Sequence, residues 1–154
     1  MKAVKSAFSV LDKKTIGLLR LQGKLINAKI ASDSKVKNSM FIKLIVASLG
    51  LKFEEEYSSD SAKLRYNKII IVSDPDVHGI HFAGLIITFF HKYFPFILKR
   101  DGMLAKMKLP IVCVQNKANP DETLLHYSLK QFENWRQQTG SLDDFEIHYV
   151  RGNF

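Results

Sequence analysis

The chain has 154 residues, 46% of them apolar, and carries a formal net charge of +8. That length suits one domain with a real core. A single cysteine, Cys113, excludes a disulfide framework and a cysteine-rich zinc site. An isoelectric point near 9.6 fits a polyanion-facing surface, nucleic acid included, and equally an ordinary solvated one.

Residues 3–11 are weakly amphipathic and predict a short helix. Residues 17–21 predict a strand leading into the turn Gln22-Gly23-Lys24. Residues 36–49 place apolar side chains at Met40, Leu44, Ile45 and Leu49 ahead of Gly50, which predicts one helix with a glycine stop. Residues 52–63 are polar and without period, so a loop or a frayed helix end is expected. Residues 69–72 form a short apolar run that predicts a central strand.

After that strand comes Ser73-Asp74-Pro75-Asp76-Val77-His78-Gly79. Two Asp at i and i+2, in a loop at the carboxyl end of a parallel strand, can converge on one divalent cation. Carboxylates suit Mg²⁺, which needs only one or two of them plus water or phosphate oxygens. Read alone, the pattern fits an acidic turn with one Asp capping the next helix more economically. That helix is expected over 79–93, ended by Pro95. Its stretch 82–90 (FAGLIITFF) is membrane-like but too short to span a bilayer, so a buried helix is expected.

Residues 107–115 predict a second strand, with Pro110 as a break. Residues 116–122 read as a turn and 124–127 as a short strand. Ser128-Leu129-Lys130-Gln131 has the form of a capping box opening a helix to about Gln137, with Trp135 as its anchor. Phe145, Ile147 and Tyr149 alternate with Glu146, His148 and Val150, as a final strand does. The interleaving implies an α/β, Rossmann-like fold with a mostly parallel central sheet flanked by helices.

Leu64-Arg65-Tyr66-Asn67-Lys68, then the acidic turn, then Ile80-His81-Phe82-Ala83-Gly84-Leu85 resembles a signature of the TOPRIM domain of type IIA DNA topoisomerases, LRYGK followed by TDxDxDGSHIKGL. The likeness extends along the chain. Leu21–Asn27 resembles LRGKxLN, Phe94-Pro95 with Ile97-Leu98 resembles WPSLL, and Leu109–Val114 resembles ITPIVKV. Phe132-Glu133-Asn134-Trp135 resembles FEEWK, and His148–Gly152 sits where the family has KYYKGLG. The eukaryotic-type enzyme is the nearer likeness.

The resemblance implies a single TOPRIM-like domain over 1–154, beginning just after the family's EGDSA position and ending within its KGLG motif. It implies Mg²⁺, weak or lost, at Asp74 and Asp76, with His78 at the third acidic position. Lys24, His81 and Arg151 fall at DNA-facing positions. Gln22, Ile80 and Ala83 replace the family's Arg, Ser and Lys.

Two carboxylates with His78 and His81 could alternatively suit Zn²⁺ or Mn²⁺. No catalytic residue is assigned, because the family's glutamate, its nucleophilic tyrosine and its ATPase lie in other segments. The implied function is the TOPRIM portion of an ATP-dependent type IIA topoisomerase, inactive alone. The alternative is a non-catalytic TOPRIM-derived module binding DNA or protein. DNA and other topoisomerase segments are the implied partners, with no membrane. The implied location is intracellular, the nucleus in a eukaryote.

Overall fold

The computed structural model describes residues 12, 14–55, 57 and 64–150. The helix expected over 3–11 and Arg151 lie outside them, as does most of the loop 52–63. Residues 17–21, expected as a strand, have no regular structure. Gly17 is instead the surface on which Tyr66 rests: a Cβ there would collide with the Tyr66 hydroxyl and lie 2.8 Å from Cζ.

The helix expected over 36–49 is two helices, α1 (Asp33–Asn38) and α2 (Met40–Leu49), separated by an extended Ser39. The cause is the burial pattern. Ile42, Ile45 and Leu49 share one face, whereas Val36 would sit about 150° away from its centre on a continuous helix. The break lets all four be buried. Gly50, with φ 72°, closes α2 in the left-handed conformation, and Leu51 N–H reaches back to Val46 O at 2.9 Å.

Strand β1 (Ile69–Ile71) leads through the acidic turn into α3 (Val77–Tyr93), then α4 (Phe96–Lys99) and β2 (Leu104–Lys106). β1 and β2 pair in parallel with Ile71 opposite Lys106. The buried helix is as expected and starts two residues earlier. Its Phe89 and Phe90, with Phe94 just beyond it, lie in one core with Ile42, Leu49 and Ile97. Its outer face leaves Val77, Ile80 and Ile87 exposed.

The remaining chain forms β3 (Val112–Asn116), β4 (Thr123–His126), α5 (Leu129–Thr139) and β5 (Phe145–Tyr149). β3 is the middle strand, antiparallel to both neighbours. Pro110 precedes β3, which begins only at Val112. Ser128 caps α5 as expected, its Oγ accepting from Gln131 N–H at 3.2 Å, while the return bond falls one residue upstream of the box, Gln131 Oε1 accepting from Tyr127 N–H at 2.9 Å. Trp135, stacked on Phe132 of the same helix, anchors α5 against Phe145 of β5 and His126 of β4.

The α/β class and a parallel pair are therefore present. Two expectations change. Among the described residues β1 has one strand partner instead of a central place, and the other three strands form a separate antiparallel sheet instead of extending a mostly parallel one.

Candidate functional site

The acidic turn sits where β1 gives way to α3. Asp76 is the N-cap: its Oδ1 accepts from Gly79 N–H at 2.7 Å, and its carbonyl accepts from Ile80 N–H at 3.0 Å. A carboxylate is well placed there, against the positive end of a helix dipole. The capping reading of the sequence is thus correct for Asp76, and it occupies one carboxylate oxygen.

Gly79 sets the shape of the turn. Its α-carbon packs on the backbone of Asp74, so a Cβ would collide with the Asp74 carbonyl oxygen and lie 2.9 Å from Asp74 C and N. Neither atom can rotate away as a side chain would. Asp74 is exposed, and no hydrogen bond or ion pair holds its carboxylate among the described residues. The turn therefore carries one free carboxylate and one pinned by a cap. Repulsion between the two favours a cation that both can share.

His78 and His81 are exposed on the first turns of α3. The four-residue Zn²⁺ or Mn²⁺ set is not brought together: no group of three His, Cys, Asp or Glu side chains converges among the described residues. Two carboxylates are the number of protein ligands that Mg²⁺ commonly takes, since it retains most of its waters. Lys24 is exposed after Gly23, whose φ of 110° only glycine tolerates, and Leu25 anchors the loop in the core. No hydrogen bond or ion pair ties Lys24 or His81 to the acidic turn.

Sequence reasoning missed the role of Gly79 and the burial of Ser73. The Ser73 hydroxyl is buried with no partner among the described residues. The signal for Gly79 was present in the sequence, as a glycine three residues into a helix behind an Asp cap.

The Toprim domain family model matches residues 1–104, which include β1, the acidic turn and α3. The chain belongs to the Toprim domain family. Beyond that match, similarity to DNA topoisomerase 2 of Bombyx mori covers 96% of this chain at 35% identity, and 9% of the relative. DNA topoisomerase 2-alpha of Cricetulus griseus is 34% identical over 96% of this chain and 10% of its own length. The DNA-binding, cleavage and re-ligation domain of Plasmodium falciparum topoisomerase II superposes with a TM-score of 0.85 at 28% identity, covering 98% of this chain and 20% of that one.

This is a Toprim domain of the eukaryotic topoisomerase II type, and it spans about a tenth of the length of the relatives it matches. Likeness to topoisomerases over nearly the whole chain, β3–β5 included, favours that reading over a separate binding module. No helix among the described residues is long and apolar enough to cross a membrane.

Proposed function

We propose that this Toprim domain, taken as one unit over 1–154, acts on DNA as the metal-bearing portion of an ATP-dependent type IIA topoisomerase. Other topoisomerase segments would supply the ATPase, the glutamate and the nucleophilic tyrosine. The acidic turn carries the proposal: Asp74 is free to bind a cation, and Asp76 is held beside it by Gly79 at the end of a parallel strand. Asp74 and the second oxygen of Asp76 would hold a weakly bound Mg²⁺, with His78 at the edge. A bound Mg²⁺ would stabilise negative charge on phosphodiester oxygens. Lys24, His81 and Arg151 would face the DNA. Nuclear placement is part of this proposal, and one relative, from Caenorhabditis elegans, is named a mitochondrial DNA topoisomerase 2. Imaging of the tagged protein tests the location.

Melts with and without Mg²⁺ test the metal site. The wild type should gain less than the roughly 1.4 kcal/mol expected at ten times the dissociation constant when Mg²⁺ is about 1 mM. Asp74→Asn should lose the gain and be slightly more stable without metal, because a like charge is removed. His78→Asp should enlarge the gain. An identical Mg²⁺ response in all three proteins would eliminate this site.

For DNA, affinity should be weak and without sequence preference, falling with salt at a log–log slope of about −0.9 per phosphate contact. Lys24→Gln and Arg151→Gln should each reduce that slope. Salt-independent affinity, or none at low salt, would rule out a DNA face. Relaxation of supercoiled DNA should require added partner segments.

A further inference from the structure

Glycine aside, the buried residues among those described are apolar with one exception, His126. It is the last residue of β4, is 8% exposed and lies opposite Val112 of β3. Its backbone is satisfied, the carbonyl accepting from Ile111 N–H at 2.8 Å. Its side chain is not: Nε2 is buried and has no hydrogen-bond partner among the described residues. Buried polar atoms are normally paired, so an unpaired one calls for a reason.

The imidazole fills the seam between β4 and α5. Its ring centroid is 5.6 Å from that of Phe132 and 5.4 Å from that of Trp135, and Val112 is fully buried. From β5, Tyr149 reaches the cluster, its ring 5.8 Å from Phe132. The charged groups of the neighbouring elements stay outside. Lys130, Glu133 and Arg136 of α5 are exposed, and Lys108 Nζ lies over the ring of Tyr127, 5.6 Å from its centroid. β3 carries no charged residue, and its Cys113 alternates with Val112 and so faces the far side of the sheet. His148 and Glu146 of β5 pair with Cys113 and Gln115, which puts them on that far side too. No hydrogen bond or ion pair ties any of these groups to the imidazole among the described residues.

A neutral imidazole can remain in this seam, since it has one N–H and no charge. An imidazolium has two N–H donors and a charge, and the rings and Val112 offer no acceptor. The ring faces attract a cation, but this offsets only part of the lost hydration. When β4 and α5 part, the imidazole meets water and can take the proton. The open form therefore binds a proton that the closed form excludes. Closure is favoured above about pH 6.5, the ordinary histidine value, and is lost progressively below it.

We propose that His126 is an acid-sensitive latch. Neutral, it holds α5 on β4; protonated, it lets α5 and the three-stranded sheet open while α3 and its core stay closed. The place suits a latch, because Val112, Val114 and Phe132 are the only other buried residues of that seam's core.

Hydrogen exchange of the full chain at pH 7.5 and pH 5.5, corrected for the intrinsic pH dependence of exchange, tests the proposal. Where only the open form takes the proton, the opening equilibrium of amides 112–116 and 145–149 should rise about tenfold over that interval. The amides of α3 should not change. His126→Phe, an aromatic replacement without a titrating group, should abolish the rise. His126→Gln keeps a polar side chain of similar reach and should abolish it too, which preserves the test if the larger ring of the first variant does not fit. His148→Asn removes the other histidine of the sheet and should keep the rise, since protonation of His148 beside Glu146 would act in the opposite direction.

An unchanged opening equilibrium in the wild type would overturn the proposal. So would a rise that survives in His126→Gln or disappears in His148→Asn. An equal rise in the amides of α3 would overturn it as well, because acid would then be loosening the whole chain and not one seam.

Discussion

The stretch from Leu25 to Met103 and the stretch from Val112 to Tyr149 are built to different depths. The first packs seventeen buried apolar residues around α3, and Phe89 alone has rings of Phe53, Phe90, Tyr93 and Phe94 within 5.3–6.4 Å. The second buries only Val112, Val114 and Phe132, with Trp135, Phe145 and Ile147 partly covered. An antiparallel sheet with one helix on one face needs no more than this to persist. The acidic turn belongs to the deep region, where backbone is held against backbone. The lesson is that the geometry of the acidic turn is set by the region with the thicker core, through Asp74, Asp76 and Gly79.

Truncating each core separately gives the largest effects. Phe89→Ala should cost about 3–5 kcal/mol, since a fully buried ring leaves a void that neighbouring rings cannot fill. Phe132→Ala should cost about 3 kcal/mol, at the low end because the thin core can relax. Hydrogen exchange locates the damage. Phe132→Ala should strip protection from 112–116 and 145–149 while the amides of α3 keep theirs. Equal loss of protection in α3 would break the comparison and make the chain one cooperative unit.

A pair of glycines on one helix sharpens the contrast within the deep region. Gly79→Ala should cost about 2 kcal/mol or more, because its Cβ meets the immovable backbone of Asp74. Gly84→Ala should gain about 0.5–1 kcal/mol, because nothing lies within 4 Å of its Cβ and alanine favours helix. Chemical denaturation of both variants gives the two signs. Equal effects would mean that the turn yields and does not restrain Asp74.

Much of this was legible in the sequence, and the failures have physical causes. The capped helix after Ser128, the alternation of Phe145–Tyr149 and the apolar α3 carried strong local signals. Strand β2 carried none: Leu104–Lys106 is three residues long and is a strand only because β1 lies beside it. The break at Ser39 follows from where Val36 must point, which is a tertiary demand. The strand expected over 17–21 does not form, since Leu18 and Leu19 are both exposed and the segment pairs with no strand among the described residues. Of the site, the acidic pair was readable from its spacing. Which Asp caps the helix was not, nor that Lys106, some thirty residues away, would arrive beside Ser73 through the parallel register.

The smallest expected effect concerns how each region is tied together electrostatically. In the deep region Asp33 Oδ1 accepts from Lys92 Nζ at 2.9 Å and from Tyr93 Oη at 2.7 Å, and Lys92 Nζ also donates to Ala28 O at 3.1 Å. One carboxylate thus joins the start of α1 to the end of α3. In the thin sheet the corresponding polar contact is His148 Nε2 with Glu146 Oε1 at 3.2 Å, two residues apart on one strand, and it joins nothing distant. The hydrogen bond from Lys92, then that from Tyr93, holds Asp33 below its ordinary 3.8, and the hydrogen bond to Asp33 raises Lys92 above 10.5. A depressed carboxylate contributes stability above its unfolded pKa and loses it as pH falls through the folded value. A raised lysine contributes stability below its unfolded pKa and loses it as pH climbs through its folded value. The tie should therefore hold between about pH 4 and pH 10 and weaken outside that window. Both side chains are substantially exposed, so the effect is small and screened by salt. Asp33→Asn should flatten the acid limb of the stability–pH curve below pH 4 and leave the neutral plateau only slightly lower. Glu146→Gln should leave the acid limb unchanged. If Asp33→Asn leaves the acid limb as steep as in the wild type, the tie contributes nothing, and the deep region owes its coherence to packing alone.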